Sequence, residues 1–257
     1  MAKFKKYLFL TDVHFKATDS EHSKTVFSIA KQVAKDLKPD GLAFLGDMID
    51  CEGISKFTYK DWKDGAYETI EDIYTFKEKY FNPLVKACKN PNLDIKYCLG
   101  NHEYRIVDYL DKIKQKECRA SYEDWKEKFN LRRIFPEAKI KEYNECHKLG
   151  RLYLTHGEFH CAGHAKKHAI VYRKNLIYGH LHSWQVFTTA SKANNKVYSA
   201  YSIPAACNNS PKYLKNKSNA WVKGMVVGYI WPNGDYQLVP LIIVRGRVIF
   251  NNKEYHG

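Results

Sequence analysis

Five short apolar runs in this chain of 257 residues each end in a burst of polar residues. The runs read FLTDVH, FLGDMID, CLGNHE, YLTHGE and IYGHLH. Apolar runs of this length predict buried strands, and in sheets covered by helices ligands bind beyond the carboxyl ends of the strands. The pattern therefore predicts an α/β fold with one polar site. The polar residues of the bursts are Asp12, His14, Asp47, Asp50, Asn101, His102, His156, His180 and His182.

The order of elements supports this fold class. Apolar residues recur at helical spacing over residues 22–37 and again over about 66–88, where Pro83 is expected to kink or split the helix. Residues 105–130 are also predicted to be helical. After Leu149 the sequence is strand after strand, with turn signals such as Pro232-Asn233-Gly234. Because no repeat, low-complexity tract or linker interrupts the chain, we predict a single domain over residues 1–257.

The positive charge of the chain is concentrated in its second half. Residues 151–257 carry 14 Lys and Arg against 3 Asp and Glu, whereas residues 1–150 carry 28 against 25. A basic region of this kind favours a polyanionic partner, nucleic acid first. The alternative is a basic protein whose charge serves solubility only.

The cysteine pattern and the hydropathy favour a cytoplasmic location. The seven cysteines are scattered without any C-x-x-C pair, which is typical of reduced thiols. No apolar stretch approaches the roughly 20 residues of a membrane span. The opening residues MAKFKKYLFL are basic and then apolar, but the apolar run is too short for a signal peptide and predicts a first strand.

The order of the polar bursts resembles that of the calcineurin-like metallophosphoesterases, whose blocks run D-x-H, G-D, G-N-H-E, H-G and G-H-x-H. Here the blocks span residues 12 to 182. The segments GDMIDCEGISKF and GNHEYRIVDYL and, more loosely, PKYLKNKSNAWVKGMVVGYI resemble small phosphoesterases of tailed bacteriophages. The resemblance implies an α/β fold built as a four-layer αββα sandwich, in which two mixed β-sheets are flanked by helices.

The resemblance also implies two divalent metal ions, with manganese expected and iron or zinc possible for nitrogen and oxygen ligands. Paired ions can clamp the attacking and leaving oxygens of a phosphoester, with a metal-bridging hydroxide as the nucleophile. By the resemblance, one ion binds Asp12, His14 and His182, the other binds Asn101, His156 and His180, and Asp47 bridges both.

Two further residues are implied to be catalytic. His102 matches the family histidine that stabilises or protonates the leaving oxygen, and Asp50 matches the carboxylate that holds it. The alternative for Asp50 is a turn or helix-cap residue. Arg105 could bind phosphate or pair with a carboxylate, and the role of Glu103 is open.

The chain departs from the superfamily pattern at two positions. Cys51 occupies the position where protein serine/threonine phosphatases carry an arginine, which argues against a dedicated protein phosphatase. Phe15 replaces the glycine of the usual first block, and packing in the core is favoured over lining a substrate groove.

A separate zinc site is a rival interpretation of the segment HGEFHCAGHAKKH. It places His156, His160, His164 and His168 at spacings of four residues, which on one helix would share a face. Gly157 and Gly163 interrupt such a helix, and the segment lacks H-E-x-x-H. We favour His160 or His164 at the rim of the main site.

These observations predict an enzyme that hydrolyses phosphoesters with two metal ions. The favoured form is a phosphodiesterase or nuclease that acts on nucleic acid. The alternative is a phosphatase or phosphodiesterase acting on a nucleotide or another small phosphoester, and a third interpretation is a binding protein without activity.

The loop over residues 208–224 holds Lys212, Lys215, Lys217 and Lys223, with Tyr213 and Trp221 between them. Lysines and aromatic rings in such a loop predict contact with nucleic acid. The alternative is a solvated loop whose Trp221 is buried in the core. Oligomeric state and the choice between DNA and RNA are open.

Overall fold

Two mixed β-sheets form the centre of the computed structural model, which describes residues 4–19, 23–56, 61–193, 195–207 and 219–257. The strands are β1 (Lys5–Leu10), β2 (Gly41–Phe44), β3 (Asp94–Cys98), β4 (Ala138–Lys141), β5 (His147–Leu149), β6 (Leu152–Leu154), β7 (Asn175–Tyr178), β8 (Gln185–Ser191), β9 (Lys196–Ser202), β10 (Gly224–Ile230), β11 (Tyr236–Ile242), β12 (Arg247–Phe250) and β13 (Lys253–His256).

The larger sheet has the strand order β11-β10-β1-β2-β3-β4, and the smaller has the order β5-β6-β7-β9-β8. Strands β1 to β4 run parallel, whereas β10 and β11 are antiparallel to their neighbours. In the smaller sheet β6, β7 and β9 are parallel, with β5 and β8 antiparallel at the edges. Five of these parallel strands carry the polar bursts at their carboxyl ends, namely β1, β2, β3, β6 and β7.

The described residues form seven α-helices beside the sheets. Short 3₁₀ turns at Ala17–Asp19 and Glu52–Ile54 and a π-helical segment at Lys77–Phe81 complete the described elements. The helices are α1 (Lys24–Leu37), α2 (Trp62–Phe76), α3 (Asn82–Cys88), α4 (Asn101–Ile113), α5 (Arg119–Lys128), α6 (Leu131–Ile134) and α7 (His164–Tyr172).

Successive side chains of a strand point to opposite faces of its sheet, and this alternation divides the core into layers. In β1, Leu8 and Leu10 pack with residues of α1 and α2, while Tyr7 and Phe9 pack against the smaller sheet. In β7, Ile177 faces the larger sheet, and its neighbours on either side pack against α7. The order helices, sheet, sheet, helix confirms the predicted αββα sandwich.

The helix predicted near residues 66–88 is divided, as expected from Pro83. Pro83 lies in the first turn of α3 and has no N–H to donate to the preceding turn. The π-helical segment at Lys77–Phe81 precedes it and lets α2 and α3 form one nearly continuous element. Phe15 packs between Phe76 and Tyr80, with ring centroids 5.8 and 5.3 Å away. The preference for a core position of Phe15 is confirmed.

Two sequence predictions of secondary structure need correction. Residues 105–130 form two helices, α4 and α5, separated at residues 114–118. The strand-rich second half also contains α7, which begins directly after Gly163 and is short enough to lack a clear periodic pattern. Within the described residues, no helix is both long and apolar enough to cross a membrane.

Candidate metal centre

The polar residues predicted from the sequence lie beyond the carboxyl ends of parallel strands in both sheets. Since the two sheets are packed face to face, their loops meet at one edge of the sandwich. Asn101 and His102 lie on the first turn of α4, and the others lie on loops. The segments that follow β1, β2, β3, β6 and β7 contribute, in this order, Asp12 and His14, Asp47 and Asp50, Asn101 and His102, His156, and His180 and His182.

Asp12, His14 and His182 form the first group of potential ligands. His182 Nε2 lies 3.2 Å from Asp12 Oδ1 and 3.1 Å from His14 Nε2. The other carboxylate oxygen of Asp12 accepts from Thr11 Oγ1 and from the backbone N–H of His180, each at 2.8 Å. These bonds fix the carboxylate so that Oδ1 faces the two imidazoles.

Asp47, His156 and His180 form the second group. His156 Nε2 lies 3.2 Å from Asp47 Oδ2, 3.1 Å from His180 Nδ1 and 3.1 Å from Asn101 Oδ1. The opposite nitrogen of His156, Nδ1, lies 2.7 Å from the carbonyl oxygen of Leu45 and donates to it. The proton is thereby held on Nδ1, and the lone pair of Nε2 faces the group.

Asp47 joins the two groups. Its Oδ2 lies 3.2 Å from His156 Nε2 in one group and 3.8 Å from His14 Nε2 in the other. Its Oδ1 accepts from the backbone N–H of His102 at 2.9 Å. The position predicted for a bridging carboxylate is thus the one that lies between the two groups.

The donor chemistry of both groups fits divalent cations. Asp12 Oδ1 is buried and has no hydrogen-bond partner among the described residues. Burial would raise the pKa of Asp12, but the nearby imidazole of His182 outweighs it and lowers the pKa to about 2. For Asp47, His156 and His102 likewise outweigh burial and hold the pKa well below its usual range. Two ionised carboxylates among imidazole nitrogens and an amide oxygen suit Mn, Fe or Zn.

Several of these residues have left-handed backbone conformations that non-glycine residues rarely adopt. Such conformations cost roughly 1–3 kcal/mol each and persist where the surrounding structure enforces them. Their concentration at one edge of the sandwich is independent support for a functional site there. The φ angles are 51° for Asp12, 49° for His14, 53° for Asp47, 79° for His180 and 56° for His182.

His102 and Asp50 form a hydrogen-bonded pair beside the two groups. His102 Nδ1 lies 2.8 Å from Asp50 Oδ1, and Asp50 Oδ2 lies 2.7 Å from Lys16 Nζ. Burial alone would lower the pKa of His102, but Asp47 and Asp50 raise it. His102 Nε2 lies 3.9 Å from Asp47 Oδ2, so the ring sits at the border of the ligand groups.

Arg105, for which the sequence left two roles open, contacts the same pair. Its Nη1 donates to the backbone carbonyl of Asp50 at 2.8 Å, and its Nη2 lies 3.2 Å from His102 Nε2. Among the described residues Arg105 has no carboxylate partner. Its guanidinium instead places positive charge next to His102 Nε2.

Comparison with known families identifies the family of the chain. The family model described as calcineurin-like phosphoesterase matches residues 5–197, which include every residue of both groups and the His102–Asp50 pair. The chain belongs to the calcineurin-like phosphoesterase family. This calcineurin-like phosphoesterase is therefore a metal-dependent phosphoester hydrolase of a family that binds two divalent metal ions.

Solved structures with low sequence identity align over most of the calcineurin-like phosphoesterase. A dimetal phosphatase from Danio rerio is 9% identical and aligns over 92% of this chain and 98% of its own, with a TM-score of 0.43. A protein of Thermus thermophilus is 9% identical and aligns over 93% and 99%, with a TM-score of 0.37. No curated protein sequence matches the chain.

Glu103, whose role the sequence left open, anchors the loops of the phosphoesterase site. Its buried carboxylate accepts from four backbone N–H groups and from a tyrosine hydroxyl. A glutamate at the third helical position is a common capping residue, so the position within GNHE was the available signal. The donors are the N–H groups of Asp47, Met48, Ile49 and Gly100, at 2.7–3.1 Å, and the hydroxyl of Tyr97 at 3.0 Å.

We expect Glu103→Gln to destabilise the metal-free protein. An amide offers one oxygen instead of two, so at least two buried backbone N–H groups face an NH₂ group. Each donor left without an acceptor costs about 1–3 kcal/mol, so two such donors predict a loss of about 2–6 kcal/mol in the free energy of unfolding. Urea unfolding with EDTA measures it. Glu137→Gln, at an exposed position, is the control. Equal stability of the Glu103 variant and the wild type would show that the network is dispensable.

His164 and His168, part of the rival zinc interpretation, are structural residues of the phosphoesterase. His164 lies 2.8 Å from the Tyr178 hydroxyl and 2.9 Å from Ser183 Oγ, and it thereby ties together both ends of the loop that carries His180 and His182. His168 Nδ1 lies 2.7 Å from the carbonyl oxygen of His164, to which it donates. Neither belongs to a group able to hold a metal within the described parts of the chain.

The segment after the last histidine block borders the site. The Trp221 ring lies edge-on to His182, with centroids 4.2 Å apart, and the backbone N–H of Val222 donates to the carbonyl of His182 at 2.6 Å. Trp221 is half-buried and packs on His182, so it lies beside the ligand groups. The predicted contacts of Lys212, Tyr213, Lys215 and Lys217 with nucleic acid fall on residues outside those that the structure describes.

Proposed function

We propose that this phosphoesterase cleaves phosphodiester bonds of nucleic acid with two manganese ions. The ion pair would lie between the two ligand groups, with Asp47 shared. This assignment is supported by the 3.2 and 3.8 Å distances from Asp47 Oδ2 to His156 Nε2 and His14 Nε2. One ion would bind Asp12, His14, His182 and Asp47, and the other would bind Asn101, His156, His180 and Asp47.

Ions bound there supply positive charge for the phosphoester and lower the pKa of water at the reacting phosphorus. The chain itself contributes the arrangement of donors before any ion binds. Hydrogen bonds from Thr11 and from the His180 backbone hold the Asp12 carboxylate, and the Leu45 carbonyl holds His156. Such fixed partners raise the affinity of a site because little reorganisation remains.

His102 delivers a proton to the leaving oxygen in this proposal. Asp50 accepts from Nδ1, which fixes the ring and leaves Nε2 as the atom that holds the transferred proton. Asp47 and Asp50 raise the pKa of His102, while Arg105 opposes them. In the same proposal Arg105, whose Nη2 lies 3.2 Å from His102 Nε2, holds a phosphate oxygen beside the leaving group.

The observation that carries the choice of nucleic acid is a long stretch without acidic residues. Residues 159–234 contain ten Lys and Arg and no Asp or Glu. This stretch supplies two of the proposed ligands, His180 and His182, and includes Trp221 beside them. A basic stretch that carries two of the proposed ligands favours a long polyanion over a small phosphoester.

Helix α7 lies within this stretch, and its Lys166 and Lys167 are exposed to solvent. Lys167 Nζ lies 4.4 Å from the centre of the Phe159 ring, and Lys166 Nζ lies 6.0 Å from that of Phe187. Within the described ranges neither lysine forms an ion pair with a carboxylate. Contacts with ring faces leave the ammonium charge unneutralised, so it is available to phosphate groups.

A substrate panel tests the proposed function. Bis-p-nitrophenyl phosphate should be hydrolysed faster than p-nitrophenyl phosphate, and single-stranded DNA or RNA should be cleaved in the presence of Mn²⁺. EDTA should stop both reactions. Preference for the monoester together with intact nucleic acids would replace the proposal with a phosphatase of small phosphoesters.

We expect the double change Lys166→Ala and Lys167→Ala to weaken nucleic-acid binding on all sequences alike. Each lost phosphate contact reduces the slope of log K against log salt by roughly 0.7–0.9, so the slope should fall by up to about 1.4–1.8. Binding is measured with EDTA present, so that no cleavage occurs. Hydrolysis of bis-p-nitrophenyl phosphate should remain unchanged.

The matched control uses two lysines on another helix. Lys126 and Lys128 lie on α5, 3.6 Å from Glu123 and 2.7 Å from Asp124. The double change Lys126→Ala and Lys128→Ala removes the same formal charge but should leave the salt slope as in the wild type. Equal slopes for both double variants would exclude α7 from the binding surface.

A further inference from the structure

The imidazoles of the metal centre each have a second nitrogen that points away from it, and each of these outer nitrogens has a partner. For His156 the partner is the Leu45 carbonyl at 2.7 Å. Carboxylates, backbone carbonyls and water are the usual acceptors behind a metal-binding histidine. His182 and His180 differ, because their outer partners are Cys207 Sγ at 3.7 Å and His160 Nε2 at 2.7 Å.

The contact between His180 and His160 restricts where the proton of His180 can lie. Two ring nitrogens 2.7 Å apart share one hydrogen bond, so one of them donates and the other accepts. His180 Nδ1 faces His156 Nε2 and belongs to the second ligand group. A lone pair on Nδ1 requires the proton of a neutral His180 on Nε2. His180 Nε2–H then donates, and His160 Nε2 accepts.

We propose that His160 is a positioning residue of the second metal site, which acts through His180 as a hydrogen-bond acceptor. It keeps the proton of His180 on Nε2 and the lone pair of Nδ1 directed at the ion. The inference rests on the proposed function, since it needs His180 to bind an ion.

The surroundings of His160 favour this role over a role in folding. His160 is exposed, and its ring meets the His180 ring edge-on with centroids 4.1 Å apart. The loop between β6 and α7 that carries it ends at Gly163, directly before His164. His164 in turn holds Tyr178 and Ser183 on either side of His180. Both partners of the pair are thereby placed by neighbouring elements, and a change of the exposed ring leaves the core intact.

The test compares three single variants with the wild type, starting from metal-free protein. His160→Leu removes the acceptor, and His160→Gln returns an acceptor oxygen at similar reach. His256→Leu makes the same chemical change at an exposed position on β13. Titration calorimetry with Mn²⁺ gives the number of ions per chain and the dissociation constant of each.

We expect His160→Leu to weaken one ion by roughly 10–100-fold, as is usual for loss of such a partner, and to leave the other within threefold of the wild type. His160→Gln should recover most of the affinity, and His256→Leu should match the wild type. In ¹⁵N-histidine spectra of the metal-free protein, His180 should carry its proton on Nε2 in the wild type. In His160→Leu the two tautomers should mix.

Three results would overturn the inference. The first is an unchanged affinity for both ions in His160→Leu. The second is equal weakening in His160→Gln and His160→Leu, which would make His160 a direct ligand or a packing residue. The third is unchanged metal binding with a raised KM, which would make it a substrate contact. A wild-type protein that binds fewer than two ions would instead contradict the proposed metal centre, so the two failures are distinguishable.

Discussion

Asp47→Asn is expected to remove both metal ions and to abolish phosphoester hydrolysis. Asp47 Oδ2 lies between the two ligand groups, and the asparagine change removes the negative charge that both ions would share. Because asparagine tolerates left-handed backbone, the φ of 53° at this position is retained and the loop stays in place. The loss of activity should exceed the roughly 10²–10⁴-fold expected for loss of a general acid.

Elemental analysis of dialysed protein gives the metal content, and thermal unfolding shows whether the variant is folded. His14→Ala is the comparison, since it removes a ligand of one proposed ion only and should leave about one metal per chain. Asp235→Asn, on an exposed turn, controls for the chemical change itself. Two metals per chain in Asp47→Asn would show that this carboxylate does not bridge.

His102→Ala is expected to keep both metals and to lose roughly 10²–10⁴-fold in kcat, the usual contribution of a positioned acid. Asp50 Oδ1 holds the ring through His102 Nδ1, 2.8 Å away. His102 belongs to neither of the two ligand groups, and its Nε2 lies 3.9 Å from Asp47 Oδ2. Cleavage of a dinucleotide, whose leaving alkoxide needs a proton, should show the full loss. Hydrolysis of bis-p-nitrophenyl phosphate should show a smaller loss because nitrophenolate leaves without protonation.

The ratio of the two losses separates the possible roles of His102. An equal loss for both leaving groups would indicate stabilisation of charge on the phosphate rather than proton transfer. Loss of a metal ion would make His102 a ligand. His256→Ala, at an exposed position, should change neither rate.

The position of the site in the fold could be predicted from the sequence, whereas several side-chain contacts within the site could not. The bursts after β1, β2, β3, β6 and β7 were predictable because the carboxyl ends of parallel strands meet at one edge of a sheet. The pairing of His102 with Asp50 followed from the resemblance. No spacing along the chain predicts that His160 meets His180 or that Cys207 meets His182, since those contacts depend on how separate loops pack.

Helix α7 was missed for a related reason. From the sequence, Gly163 is predicted to interrupt a helix through this segment. In the structure Gly163 directly precedes the first helical residue, His164. A nine-residue helix on the outside of a sheet needs few apolar positions, so its periodicity is too weak to separate it from the surrounding strands. Glu103 was identified only as a neighbour of the site, because its five donors come from three parts of the chain.

The left-handed backbone at five of the proposed ligand positions has an evolutionary consequence. Each such residue makes the folded state less stable than glycine would at the same place, whether or not an ion is bound. Selection for stability alone would favour replacement of these side chains, one by one, since natural proteins sit close to the threshold they need. A lineage that no longer used the centre would therefore gain stability by losing it. The chain carries all five side chains despite this cost in stability.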